Sequence, residues 1–110
     1  MEVYDRAHSL AGAIRESKEY KEYKIIKEEI SKDPELKHKV DEFEKIRYEE
    51  QLLAMQGEKQ SNEKMAKLQE LYKILVQNEQ VKEYFEKEVK FNVMVADINK
   101  IIGEAIKDVL

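Results

Sequence analysis

The sequence predicts an all-α fold, an antiparallel helical bundle or hairpin of about five helices with a long C-terminal helix. Three observations predict it. Apolar residues recur at alternating steps of three and four along most of the chain, the spacing that lines one face of an α-helix. Charged residues make up 40% of the 110 residues, and acids and bases are interspersed, as on solvated helix faces. Three glycines and one proline are too few for a sheet with tight turns. At this length, residues 1–110 are expected to form a single domain with a core of modest size.

From Val3 to Arg15, the residues Val3, Ala7, Leu10, Ala11 and Ile14 fall on one side of a short helix, and Asp5 suits the positive end of its macrodipole. Ser17 can cap a second helix whose face is Tyr20, Tyr23, Ile26 and Ile30; the serine alone leaves open two helices or one bent rod. Asp33-Pro34 starts a third, because proline at the first helical position gives up no needed N–H while the aspartate accepts from exposed amides. Leu36, Val40, Phe43, Ile46, Glu50 and Leu53 carry it to about Met55, and Gly57 suits the left-handed position after its last turn. The polar run from Gly57 to Asn62 is expected to be a loop. A fourth helix, from about Glu63 to Gln77, presents Met65, Leu68, Leu71, Tyr72 and Leu75. Asn78 favours a break there and a cap on the final helix, since asparagine is weakly unfavourable in a helix interior.

The last stretch organises the others. Val81, Tyr84, Glu88, Phe91, Val95, Ile98, Ile102, Ala105 and Val109 make a seven-residue repeat with one polar interruption, widened by Phe85, Met94, Ile101 and Ile106. At about 1.5 Å per residue this run spans roughly 45 Å, longer than a small domain is wide, so earlier helices must line up along it or a second chain must help. Val81, Tyr84, Phe85, Phe91, Met94, Val95, Ile98, Ile101, Ile102 and Ala105 are therefore the expected core and interface seam. A homo-oligomer, with a dimer favoured, is the expected partner arrangement.

Composition narrows the function. Without cysteine there is no disulfide, thiolate-bound cluster, zinc finger or cysteine nucleophile. A net charge of −4 gives no overall footprint for nucleic acid. Glu2, Asp5 and Arg6 sit where a secretory signal needs an apolar run, and no stretch approaches membrane-spanning length. A soluble, cytoplasmic protein is expected, with no membrane partner and no direct contact with nucleic acid.

Candidate chemistry is sparse. Glu35 with His38, and Asp5 with His8, superficially match the spacing of di-metal carboxylate bundles. His38 lies about 200° round its helix from Leu36, on the solvent side, and His8, nearer an apolar face, is one histidine alone. Both are read as surface or boundary residues, and no metal or other cofactor is assigned. Glu50 and Glu88 occupy seam positions where apolar residues belong; each is expected at a solvent-open part of the seam, or paired and helping to fix register. The run KEYKEYK, Lys18 to Lys24, alternates basic and aromatic residues in a way that could stack on single-stranded RNA. Tyr20 and Tyr23 continue into Ile26 and Ile30, which assigns the rings to core packing; RNA binding through lysine-rich surfaces stays as the alternative function. Met55, Met65 and Met94 read as gap-filling core or interface residues. No nucleophile with a neighbouring base and no phosphate loop occurs, so no catalytic residue is assigned and an enzyme is not expected.

The opening VYDRAHSLAGAIRESKEYKEYK, the middle DPELKHKVDEFEKIRYEEQ, the MQGE turn and the ending LQELYKILVQNEQVKEYFEKEVKFNVMVADINKIIGEAI together resemble the YlbF/YmcA family of small helical bacterial proteins, including its YheA-like branch. The resemblance covers nearly the whole chain and rests on the order and spacing of helices. It implies a non-enzymatic cytoplasmic regulator that self-associates through long helices and works with regulatory protein partners. Members in sporulating bacilli join a multiprotein complex affecting competence, biofilm formation and sporulation, and are linked to endoribonuclease Y and mRNA maturation. Some members carry cysteines after the last helix; this sequence has none, so redox or cluster-linked behaviour is not implied for it. The shared phrases look structural, and no functional residue is carried over from them.

Overall fold

The computed structural model describes residues 1–59 and 61–110, and among them there are five α-helices and no strand. They are α1 (Glu2–Glu16), α2 (Lys18–Ser31), α3 (Pro34–Met55), α4 (Asn62–Leu75) and α5 (Glu79–Ile106).

Each boundary has a local cause. Ser17 has extended backbone (φ −68°, ψ 152°); its Oγ donates to the Ile14 carbonyl at 2.6 Å and accepts from the Tyr20 amide at 3.1 Å. One serine therefore ends α1 and caps α2, which makes them two helices. Asp33 accepts from the Leu36 amide at 3.2 Å with Pro34 at the first helical position, as that pair predicts. At the end of α3, Gly57 takes φ +76°, the Glu58 amide donates to the Leu53 carbonyl at 2.9 Å and the Gly57 amide to the Ala54 carbonyl at 3.2 Å. Those two bonds are the 6→1 and 5→2 pair of a Schellman cap.

Two boundaries shift. The expected loop from Gly57 to Asn62 ends sooner, because the Ser61 hydroxyl accepts from the Lys64 amide at 3.3 Å and Asn62 is already helical. Gln60, inside that expected loop, lies outside the described residues. The fourth helix ends at Leu75 instead of Gln77, and the break favoured at Asn78 is present: its Oδ1 accepts from the amides of Gln80 at 2.9 Å and Val81 at 3.1 Å.

Contacts gather into two compact units, Met1–Lys27 with Tyr84–Leu110, and Glu28–Glu83. In the first, α2 runs antiparallel to α5, since Tyr20 meets Phe91, Glu22 meets Lys87 and Tyr23 meets Tyr84. In the second, α3 and α4 form an antiparallel hairpin, with Lys64 on Glu49 at 2.9 Å and Lys67 on Glu42 at 3.1 Å. Its buried apolar residues include Ile30, Leu36, Val40, Phe43, Ile46, Leu75 and Val81.

Burial of the seam falls along α5. Val81, Tyr84 and Phe85 are buried, Phe91, Met94, Val95 and Ile98 are half-buried, and Ile101, Ile102 and Ala105 are exposed. α1 contributes no buried residue at all. Met65 and Met94 are half-buried, whereas Met55 is 82% exposed, which removes the core half of its core-or-interface reading. Lys64, near the start of α4, already meets Glu49, so the last turn of α3 overhangs the helix that would cover it.

Candidate interaction surface

The first unit is held by rings. Tyr20 and Phe91 have centroids 6.2 Å apart, Tyr23 lies 5.4 Å from Phe91 and 5.5 Å from Tyr84, and Tyr84 meets Phe85 edge-on at 5.6 Å. These tilted pairs, with the edge-on Tyr84–Phe85 pair, avoid the face-to-face sandwich that the ring quadrupoles disfavour. The tyrosines of the KEYKEYK run are thus engaged with α5, as the continuation into Ile26 predicts, and Lys27 Nζ lies 5.2 Å from the Tyr23 centroid.

Glu88 enters this cluster from α5 and is only 7% exposed, which removes the solvent-open reading for it. The Tyr23 hydroxyl donates to Glu88 Oε2 at 3.3 Å, and the Tyr23 and Tyr84 hydroxyls are 3.5 Å apart. A hydroxyl donor offsets part of the desolvation cost of the carboxylate and ties it to one place along α2. Beside the rings, Glu22 accepts from Lys87 at 2.8 Å. That hydrogen bond, with the charges of Lys87, Lys18 and Lys90, holds the Glu22 carboxyl below the usual carboxylate range against a smaller opposing effect of burial.

Farther along α5 the apolar stripe continues into water. Ile98, Ile101, Ile102, Ala105 and Ile106 keep the spacing of one helix face, yet Ile101 is 70% exposed and Ile102 48%. In the same unit, α1 leaves Val3, Tyr4 and Leu10 exposed. Of the ten seam residues named from the sequence, seven share in packing and three, Ile101, Ile102 and Ala105, form an open surface.

In the second unit, Phe43 and Tyr72 meet at a tilt across the hairpin with centroids 6.1 Å apart, and the Arg47 guanidinium lies 5.4 Å from the Phe43 ring. Glu50 is 2% exposed, so it too is buried instead of solvent-open. Lys64 is held above its usual pKa chiefly by its hydrogen bond and charge contact with Glu49, with a smaller contribution from Glu50, and Glu49 is held below the usual range by the same lysine.

The residues with metal-like spacing do not converge. His8 and His38 are both exposed, and Glu35 pairs with Lys39 at 3.5 Å. Among the described residues no group of three or more histidine, aspartate or glutamate side chains is placed to hold a metal ion, and no helix is long and apolar enough to cross a membrane. Sequence reasoning missed Val89 and Val93, which lie off the seam and remain 59% and 54% exposed. The available signal was their one-turn spacing, which continues from Phe85 at i+4 and i+8.

Comparison with known proteins places this architecture. A family model described as control of competence regulator ComK, YlbF/YmcA, matches residues 3–107. A UPF0342 protein of Caldicellulosiruptor bescii is 38% identical over 105 residues, 96% of this chain and 88% of the relative. One of Symbiobacterium thermophilum is 36% identical over 104 residues, covering 94% and 93%. Among solved structures, a protein of unknown function (DUF964) from Bacillus stearothermophilus superposes with a TM-score of 0.80 at 18% identity, covering 98% of this chain and 95% of that one, and so shares the fold.

Proposed function

The chain belongs to the YlbF/YmcA family, and from that premise we propose that it is a non-enzymatic, cytoplasmic regulatory protein-interaction module that assembles with itself, a dimer being favoured. The observation that carries this reading is the open apolar stripe from Ile101 to Ile106 on α5, with Ile101 70% exposed. Contiguous apolar surface of this kind marks an interaction site. Covering each large aliphatic side chain contributes about 1.5–3 kcal/mol, so a handful of them can hold two chains together against the cost of association. Val3 and Leu10 of α1 are further exposed apolar residues of the same unit.

Family membership supports a place in regulation through other proteins, in the setting of competence, biofilm formation and sporulation and in connection with endoribonuclease Y. The test of self-association is sedimentation at micromolar concentration. A sedimenting species larger than one chain, reduced to one chain by Ile102→Glu with Ile106→Glu, supports the reading; a wild-type monomer throughout overturns it.

A further inference from the structure

The two ends of the first unit are the least covered parts of the chain. Of the sixteen large apolar side chains that stand exposed among the described residues, nine lie in residues 1–10 and 101–110, on or beside α1 and the end of α5. At roughly 60–120 Å² for each fully exposed side chain, they present several hundred Å² of apolar surface, of the order of the about 800 Å² that each partner gives to a standard interface. α1 is also a weak helix by itself. It has 15 residues with Gly12 in its interior, no side-chain cap at its start and no buried residue. Ser17 turns the backbone to ψ 152° at its end, so α1 does not propagate from α2. An isolated helix of this length is marginal in water, and most helical stability in proteins comes from packing an apolar face. α1 has such a face in Val3, Ala7, Leu10 and Ile14, at steps of four, three and four, and Val3 and Leu10 on it stay exposed.

We propose that two copies assemble by a reciprocal swap: α1 of each lies on the open end of α5 of the other, and that contact orders α1 as a helix. The swap rests on the self-assembly through the end of α5 already proposed, and assigns α1 a place in it. Side-chain size selects the pairing. α1 sets Ala7 and Ala11 one turn apart, where α5 sets Ile102 and Ile106 one turn apart. Small side chains let a facing helix come close and large ones fill the space between, whereas α1 on α1 would leave voids and α5 on α5 would crowd isoleucine against isoleucine. The steps also match, since Ile98, Ile102 and Ala105 follow the same four-and-three alternation as the face of α1, the spacing at which knobs of one helix enter holes of another. A twofold pair that exchanges both contacts covers all four faces at once and closes, leaving none for a third copy.

The test is complementation between whole chains. Val3→Glu/Leu10→Glu spoils the face of α1 and Ile102→Glu/Ile106→Glu that of α5; all four positions are exposed in the single chain, and circular dichroism checks that each variant stays folded. Sedimentation is expected to show each variant alone as single chains where the wild type is assembled. An equimolar mixture of the two should form a two-chain species at a concentration about ten-fold or more below that needed by either variant alone, because one of the two α1–α5 contacts stays intact in the mixed pair. Hydrogen exchange reads α1 itself: its amides are expected to exchange about ten-fold or more slowly in the assembled wild type than in the α5 variant, while those from Tyr84 to Phe91 keep their protection. Assembly of the α1 variant at wild-type strength, a mixture no tighter than either variant, or α1 protection equal in assembled and single chains overturns the swap and leaves self-assembly through α5 standing. A wild type that sediments as single chains throughout overturns both.

Discussion

Tyr23 on α2 and Glu88 on α5 are joined through a hydroxyl that donates to the carboxylate at 3.3 Å, although 65 positions separate them in the chain. With Glu88 only 7% exposed, this contact places a polar pin inside a ring-lined interface. Sliding α5 by one turn relative to α2 would move the carboxylate about 5 Å from its donor, so the pair selects one register among several that apolar packing alone would tolerate.

Replacing Tyr23 with phenylalanine keeps the ring and removes the donor. We expect a loss of about 1–3 kcal/mol, the usual result of taking a partner from a buried polar group. Urea denaturation of Tyr23→Phe and of Tyr23→Phe/Glu88→Leu checks it: the double variant should recover part of the loss, and equal or greater instability in the double variant would count against the pin.

Two apolar positions of α5 should respond differently to charge. Val81 is 0% exposed, so Val81→Asp is expected to cost more than about 3 kcal/mol through an unpaired buried charge and to unfold a large share of the protein at room temperature. Ile102, 48% exposed, should accept glutamate with its helical circular dichroism intact and show its effect in the sedimenting mass. Ile98→Glu, at a half-buried position, is expected to disturb both readouts.

Gly57 carries the left-handed backbone of the Schellman cap at φ +76°. A Cβ there would meet no neighbouring atom within 4 Å, so the cost of Gly57→Ala is conformational and should be about 1–2 kcal/mol. Gly12→Ala, inside α1 and equally uncrowded, should instead stabilise by about 0.5–1 kcal/mol. Opposite signs in thermal melts of the two variants are the expected outcome.

The Glu49–Lys64 pair couples the hairpin to pH. Glu49 titrates lower when folded, so its contribution is complete above the ordinary glutamate pKa of about 4.3 and is lost as pH falls through the lower folded value. Lys64 titrates higher when folded, so its contribution is complete below the ordinary lysine pKa of about 10.4 and is lost as pH rises through the higher folded value. Both groups are solvated, so the effect is small and should weaken with salt. Denaturation midpoints of wild type and Glu49→Gln should differ at neutral pH and converge in acid; an unchanged gap in acid would contradict the pairing.

Local features were legible in the chain alone. Helix faces come from spacing, and the stops come from single residues whose chemistry acts within a few positions: Ser17, Asp33-Pro34, Gly57 and Asn78 each perform the role their type suggests. Ser61 could have been read the same way, since it too caps within its own turn. Tertiary packing settled which apolar positions are covered and how a misplaced polar one is accommodated. Glu88 tolerates burial because Tyr23 arrives from a distant helix, whereas Ile101 and Ile102, with the same spacing as their buried neighbours, stay open. Periodicity records that a face exists; whether another helix reaches it depends on contacts between residues far apart in sequence, which no local pattern contains.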